Sequence, residues 1–167
     1  MKRLRWGFCV AIFGLIGCSE GPESTIVAVR NEVSRASSSV DTIVTKLKDF
    51  STKRQGGDKE KADADLKDAI EAAKTYKQAA DKIQEHHYHA TQAAASMNED
   101  QKKAFKENNA DALRGLAGTF NQAAVSHREL KKIVREITTK YGEDSLRDLM
   151  QEINAAENAF AAVARRK

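Results

Sequence analysis

The sequence predicts an all-α protein, an elongated up-and-down bundle of about four helices, and three observations predict it. Apolar residues recur at alternating three- and four-residue steps through four long segments. No strand-like alternation of useful length interrupts them. Nine glycines and one proline in 167 residues, in an alanine-rich chain, favour helix over a turn-dense β-sandwich. The length bounds one modest domain rather than a large two-domain enzyme.

Met1–Arg5 is short and basic, and Trp6–Ile16 is an apolar run of eleven residues. A bilayer-spanning helix needs about 20 apolar residues, so this run reads as the core of a secretory signal. Leu15-Ile16-Gly17-Cys18 resembles the bacterial lipobox, in which aliphatic and small residues precede an invariant cysteine. The resemblance implies that residues 1–17 are a signal peptide cleaved before Cys18. It also implies a diacylglycerol on the Cys18 thiol, with palmitate-type chains, and acylation of the new amino terminus. Two or three acyl chains anchor stably where one holds only marginally. By resemblance to diderm lipoproteins, Ser19 in place of Asp implies sorting to the outer membrane.

Cys9 and Cys18 are the two cysteines, and both lie in this segment. The mature chain is therefore expected to carry no disulfide and no reactive thiol. The net charge of +4 and pI near 9.0 invite a nucleic-acid reading, which the leader undoes. Without Lys2, Arg3 and Arg5, 25 basic residues face 24 acidic ones, and no nucleic-acid partner is expected. Residues 18–24 form the lipidated cysteine and a polar tether, Ser-Glu-Gly-Pro-Glu-Ser, that spaces residues 25–167 from the membrane.

The helical part begins with two interleaved heptad series. Ile26, Val33, Val40 and Leu47 form one, and Val29, Ala36, Ile43 and Phe50 form the other. The narrow seam of Ile26, Val29, Val33, Val40, Ile43, Leu47 and Phe50 is expected to contact a protein partner or a second copy. Arg54-Gln55-Gly56-Gly57-Asp58 supplies a double-glycine stop and an Asp N-cap. A second helix over about Lys59–Ala95 follows, with an alanine-rich seam of Leu66, Ala69, Ala73, Tyr76, Ala80, Ile83, His87, Ala90 and Ala94. Ser96-Met97-Asn98-Glu99 fits a capping box that opens a third helix, weak at Asn108-Asn109. Its seam runs Leu113, Leu116, Phe120, Ala123, His127, Leu130, Val134, Ile137 and Tyr141, and Gly142 ends it. Asp144 or Ser145 starts the last helix, which carries Leu146, Leu149, Ile153, Ala156, Phe160 and Val163. Short turns between long helices imply antiparallel neighbours.

Candidate chemistry is sparse. His86 and His89 share a helix face at i, i+3, with Glu85 at i, i+4 from His89, a weak set for zinc, copper or nickel unless another helix closes it. His87 and His127 sit in seams, where a four-helix protein could hold haem or a metal between them. A reversal near Asn98 instead separates them by several turns. Neither Cys-x-x-Cys-His nor Glu-x-x-His occurs, and no Ser–His–Asp set or loop-borne carboxylate pair suggests an enzyme. Gly115 and Gly118 read as a hinge or as a point of close helix packing. No resident cofactor is expected beyond the covalent lipid.

The chain ends Ala164-Arg165-Arg166-Lys167 directly after a heptad helix. With lipid at one end and heptads between, this resembles the murein lipoprotein family, in which a terminal lysine is joined to peptidoglycan. That family is a single short trimerising helix with an aromatic residue before Arg-Lys; here Arg165 stands at that position and glycine turns divide the chain. The expectation is a lipid-anchored, non-enzymatic binding or scaffolding module of the bacterial cell envelope. Peptidoglycan tethering through Lys167 and periplasmic metal or haem binding through His86, His87, His89 and His127 are the alternatives.

Overall fold

The computed structural model describes residues 22–165, with side chains from residue 25 to residue 163. The protein is all-α, with no strand among the described residues. Helix α1 spans Pro22–Gln55, α2 Lys59–Ala95, α3 Glu99–Asn108, α4 Ala110–Tyr141 and α5 Arg147–Arg165, with a 3-10 turn over Asp144–Leu146. At about 1.5 Å per residue, α1, α2 and α4 are rods of roughly 50 Å, while α5 reaches about half as far.

The caps explain most boundaries and correct three expectations. Pro22 to Ser24, expected as tether, form the first turn of α1, where proline's fixed φ and missing N–H cost nothing. Gly57, at φ +82°, and Asp58 end one helix and start the next as expected, with Asp58 accepting from the Lys61 amide at 3.3 Å. The capping box falls two residues later than its sequence match. Asn98 Oδ1 accepts from the Gln101 amide at 2.8 Å, and Gln101 Oε1 accepts from the Asn98 amide at 2.9 Å. Ser96 closes α2 instead, its hydroxyl donating to Ala93 O at 2.7 Å.

The weak point at Asn108-Asn109 is a true break. The Asn109 side chain donates to Phe105 O at 3.0 Å and so competes with the helical ladder, dividing the expected third helix into α3 and α4. Gly142, at φ +84°, ends α4, and α5 proper starts at Arg147, after the 3-10 turn.

α1 packs most extensively on α2, antiparallel to it; α4 packs on α1, and α5 on α2. The last two pairs run parallel, so the expectation of antiparallel neighbours holds for α1 and α2, while α4 and α5 each find their closest partner in a helix that does not adjoin them in sequence. Arg30 lies against Gly115, Ser37 against Ser126 and Phe50 against Tyr141, so α1 and α4 rise together. α3 links the end of α2 to the start of α4, which packs beside α1. The larger core unites α1, α2, α4 and α5 through Val40, Ile43, Leu47, Phe50, Ala69, Ala73, Leu130, Ile137, Leu149 and Ile153. A smaller one at the other end joins Ile26, Val29, Val33, Ile83, Phe105, Leu116 and Phe120.

Candidate functional site

The first-helix seam is interior. Ile26, Val29, Val33, Val40, Ile43, Leu47 and Phe50 are all at most 2% exposed, so in this fold they face α2 and α4 rather than a partner. This corrects the expected contact surface, and the reason is arithmetic. A seam two residues wide per heptad is just what one neighbouring pair of helices covers, and α2 and α4 supply that pair.

The histidines separate into two environments. His86 is partly buried and His89 exposed on α2, where Glu85 pairs with Lys82 at 2.8 Å instead of facing a metal position. Lys82 thereby holds Glu85 below its ordinary carboxylate value. His87 is buried, 3% exposed, on the opposite side of the helix. His127 lies level with Tyr76, eleven residues before His87 on α2, which at about 1.5 Å per residue puts it roughly 16 Å away along the axis. The structure therefore does not bring His87 and His127 into one site. Among the described residues no group of three His, Cys, Asp or Glu is placed to hold a metal ion.

Two polar clusters that sequence inspection missed are built into the core. The first clamps the α1–α2 hairpin: Asp65, 5% exposed, accepts from Lys53 and from Lys46 at 3.4 Å, and Lys46 also reaches Asp68 at 2.7 Å. The Lys53 hydrogen bond holds the Asp65 carboxyl below its ordinary value, against the opposing effect of burial, and Lys46 adds to it. The second joins three helices. Tyr76 Oη lies 3.1 Å from His127 Nδ1, His127 Nε2 lies 3.2 Å from Glu157, and Lys131 Nζ meets the other Glu157 oxygen at 3.2 Å. The chain is complete in the tautomer that keeps the imidazole proton on Nε2: Tyr76 donates to Nδ1, and Nε2–H donates to the carboxylate. Burial pushes the Tyr76 phenol up, which keeps it a donor, and the His127 bond holds Glu157 down. Asp65 sits in the charged run from Asp58 to Asp68, and Glu157 among alanines; neither pattern signals burial from sequence.

Gly115 and Gly118 mark neither a hinge nor close helix packing, since α4 is continuous through both. A Cβ on Gly115 would meet only the Arg30 guanidinium, at 3.5 Å, and one on Gly118 would meet nothing within 4 Å. An open recess of about 300 Å³ lies along α2 between Asp81, Gln84, Glu85 and Tyr88. No described helix is long and apolar enough to cross a membrane. Cys18 and Lys167 lie outside the described residues.

The fold and these clusters define an all-α helical protein with a loop-poor surface. Comparison with protein-family models, with curated proteins and with solved structures finds no match to this chain.

Proposed function

We propose that this chain is a lipid-anchored helical binding or scaffolding module of the bacterial cell envelope, held through Cys18 at the outer membrane. The observation that carries this reading is the Leu15-Ile16-Gly17-Cys18 motif behind a basic and then apolar leader. In this reading α1, α2, α4 and α5 form an elongated up-and-down four-helix body. Four alternating rods return the end of α5 toward the start of α1. Arg35 meets Gln78, which sets Pro22 near the level of residue 91 on α2. Tyr76 faces Phe160, with ring centroids 5.8 Å apart, which sets Arg165 near residue 81. Pro22 and Arg165 are thus separated by about 15 Å along a rod of roughly 50 Å. A tether between membrane and wall needs its two attachment points at opposite ends of the rod. The register therefore favours a binding module over a wall tether, with the turns around Gly57 and Gly142 as the end that projects away from the anchor. Anchoring raises the local concentration of that surface, so a weak contact with a protein partner suffices.

The test is fractionation of cells expressing the wild-type chain and Cys18→Ser, followed by muramidase digestion of SDS-boiled sacculi. The module reading expects wild type in the detergent phase, absent from sacculi, and an unlipidated, uncleaved precursor for the variant. A Cys18→Ser chain that still matures and partitions with membranes overturns the anchor. Wild type released from sacculi only by muramidase would replace the module with a Lys167 tether.

A further inference from the structure

We propose that α5 is a releasable helix, latched to the rest of the molecule by the Tyr76–His127–Glu157–Lys131 chain. Three observations converge on it. α1 packs closely on both α2 and α4, whereas α5, the last and shortest of the four rods, packs closely along α2 alone, as α4 does along α1. Its nearest sequence neighbour, α4, meets it through the turn that joins them and through side-chain tips. The connection is a Gly142 in the left-handed region followed by a single 3-10 turn, a joint that can swing without breaking either helix.

Removing α5 leaves the α1–α2 and α1–α4 interfaces intact. Within the larger core it uncovers Leu149, Ile153, Ala156 and Ala159 of α5 and the core residues of α2 and α4 that share the cluster with them. Beside that apolar burial, one polar chain that spans α2, α4 and α5 holds α5 in place. Two of its three links need α5 in place: without Glu157, the His127 Nε2–H and the Lys131 ammonium lose their shared acceptor, and the Tyr76–His127 bond between α2 and α4 is left with an imidazole held on one side alone. Glu157 is half-buried and accepts from the His127 Nε2–H and from the Lys131 ammonium, which makes it the bolt of the latch.

Hydrogen exchange of the full chain, read by mass spectrometry per helix, tests this. In wild type, amides of residues 147–163 are expected to exchange measurably faster than those in the centres of α1 and α2, by a local opening. In Glu157→Gln, and independently in His127→Gln, α5 exchange is expected to rise about tenfold while α1 and α2 change less than about twofold. Lys48→Gln, which removes the exposed Lys48–Glu129 pair between α1 and α4, is expected to leave α5 exchange unchanged. The proposal is overturned if wild-type α5 exchanges only with the global opening, or if the latch variants accelerate all helices together.

Discussion

The α1–α2 pair and the α4–α5 pair are both helical hairpins, yet they are built on opposite terms. α2 presents Ala62, Ala69, Ala73, Ala79 and Ala80, each fully buried, and the backbones of α1 and α2 come together along nearly their whole length. Alanine contributes little apolar area, so the large side chains come from α1: Ile43, Leu47 and Phe50 lie over the small residues of α2. Between α4 and α5 the order is reversed. Their backbones make few close contacts, and beside the apolar residues that both give to the larger core, His127 and Lys131 reach Glu157 through their tips. Small residues set close approach and large apolar burial; long polar residues set a wider gap and a directional join. One hairpin is joined by close apolar packing, and the other adds a polar clasp to the core that all four rods share.

Each half of that comparison can be broken. Leu47→Ala removes a fully buried side chain from the tight hairpin, and an expected loss of about 2–5 kcal/mol shows in urea unfolding. A loss under 1 kcal/mol would mean that the α1–α2 core repacks freely. Ala73→Leu forces extra volume between close backbones and is expected to cost about 1–3 kcal/mol. Ala123→Leu, on the partly buried face of α4, should cost a fraction of that, and equal costs would erase the distinction drawn here.

The buried carboxylate sharpens the same contrast through pH. Asp65 has a folded value below its ordinary 3.8, so its contribution is complete above that value and is lost as pH falls through the folded one. Asp65→Asn should lower stability at pH 7 by about 1 kcal/mol and flatten the acid limb below pH 4. An unchanged acid limb would show that the Lys46–Asp65–Lys53 clamp adds nothing. The smallest effect is a gain: Gly118→Ala, where a Cβ meets open space in a continuous helix, should raise the thermal midpoint through about 0.5–1 kcal/mol. A loss there would mean that the glycine backbone is itself a contact surface.

Much of this was legible residue by residue. The α2 boundaries, the Gly57–Asp58 turn, the Gly142 stop and the seam of the last helix follow from periodicity and caps alone, because those signals are local. Ser96 misled because serine followed three residues later by glutamate matches a capping box, while the backbone extends only at Asn98. The first-helix seam was readable as a seam, but its partner was not. A heptad stripe encodes that something apolar covers it, and α2 and α4 of the same chain cover it as well as a second copy could.

By itself the sequence determined the helical class, the extent of α2, most turns and, through Leu15-Ile16-Gly17-Cys18, the expectation of an anchor. All of these rest on contacts within about four residues or on a short motif. Only the tertiary structure decided that α4 lies parallel to α1 and α5 parallel to α2, that Asp65 and Glu157 turn inward, and that His127 meets Tyr76 rather than His87. Those outcomes depend on where ten residues of α3 carry the chain after α2. That displacement is set by the sum of all the packed faces, and no single segment encodes it.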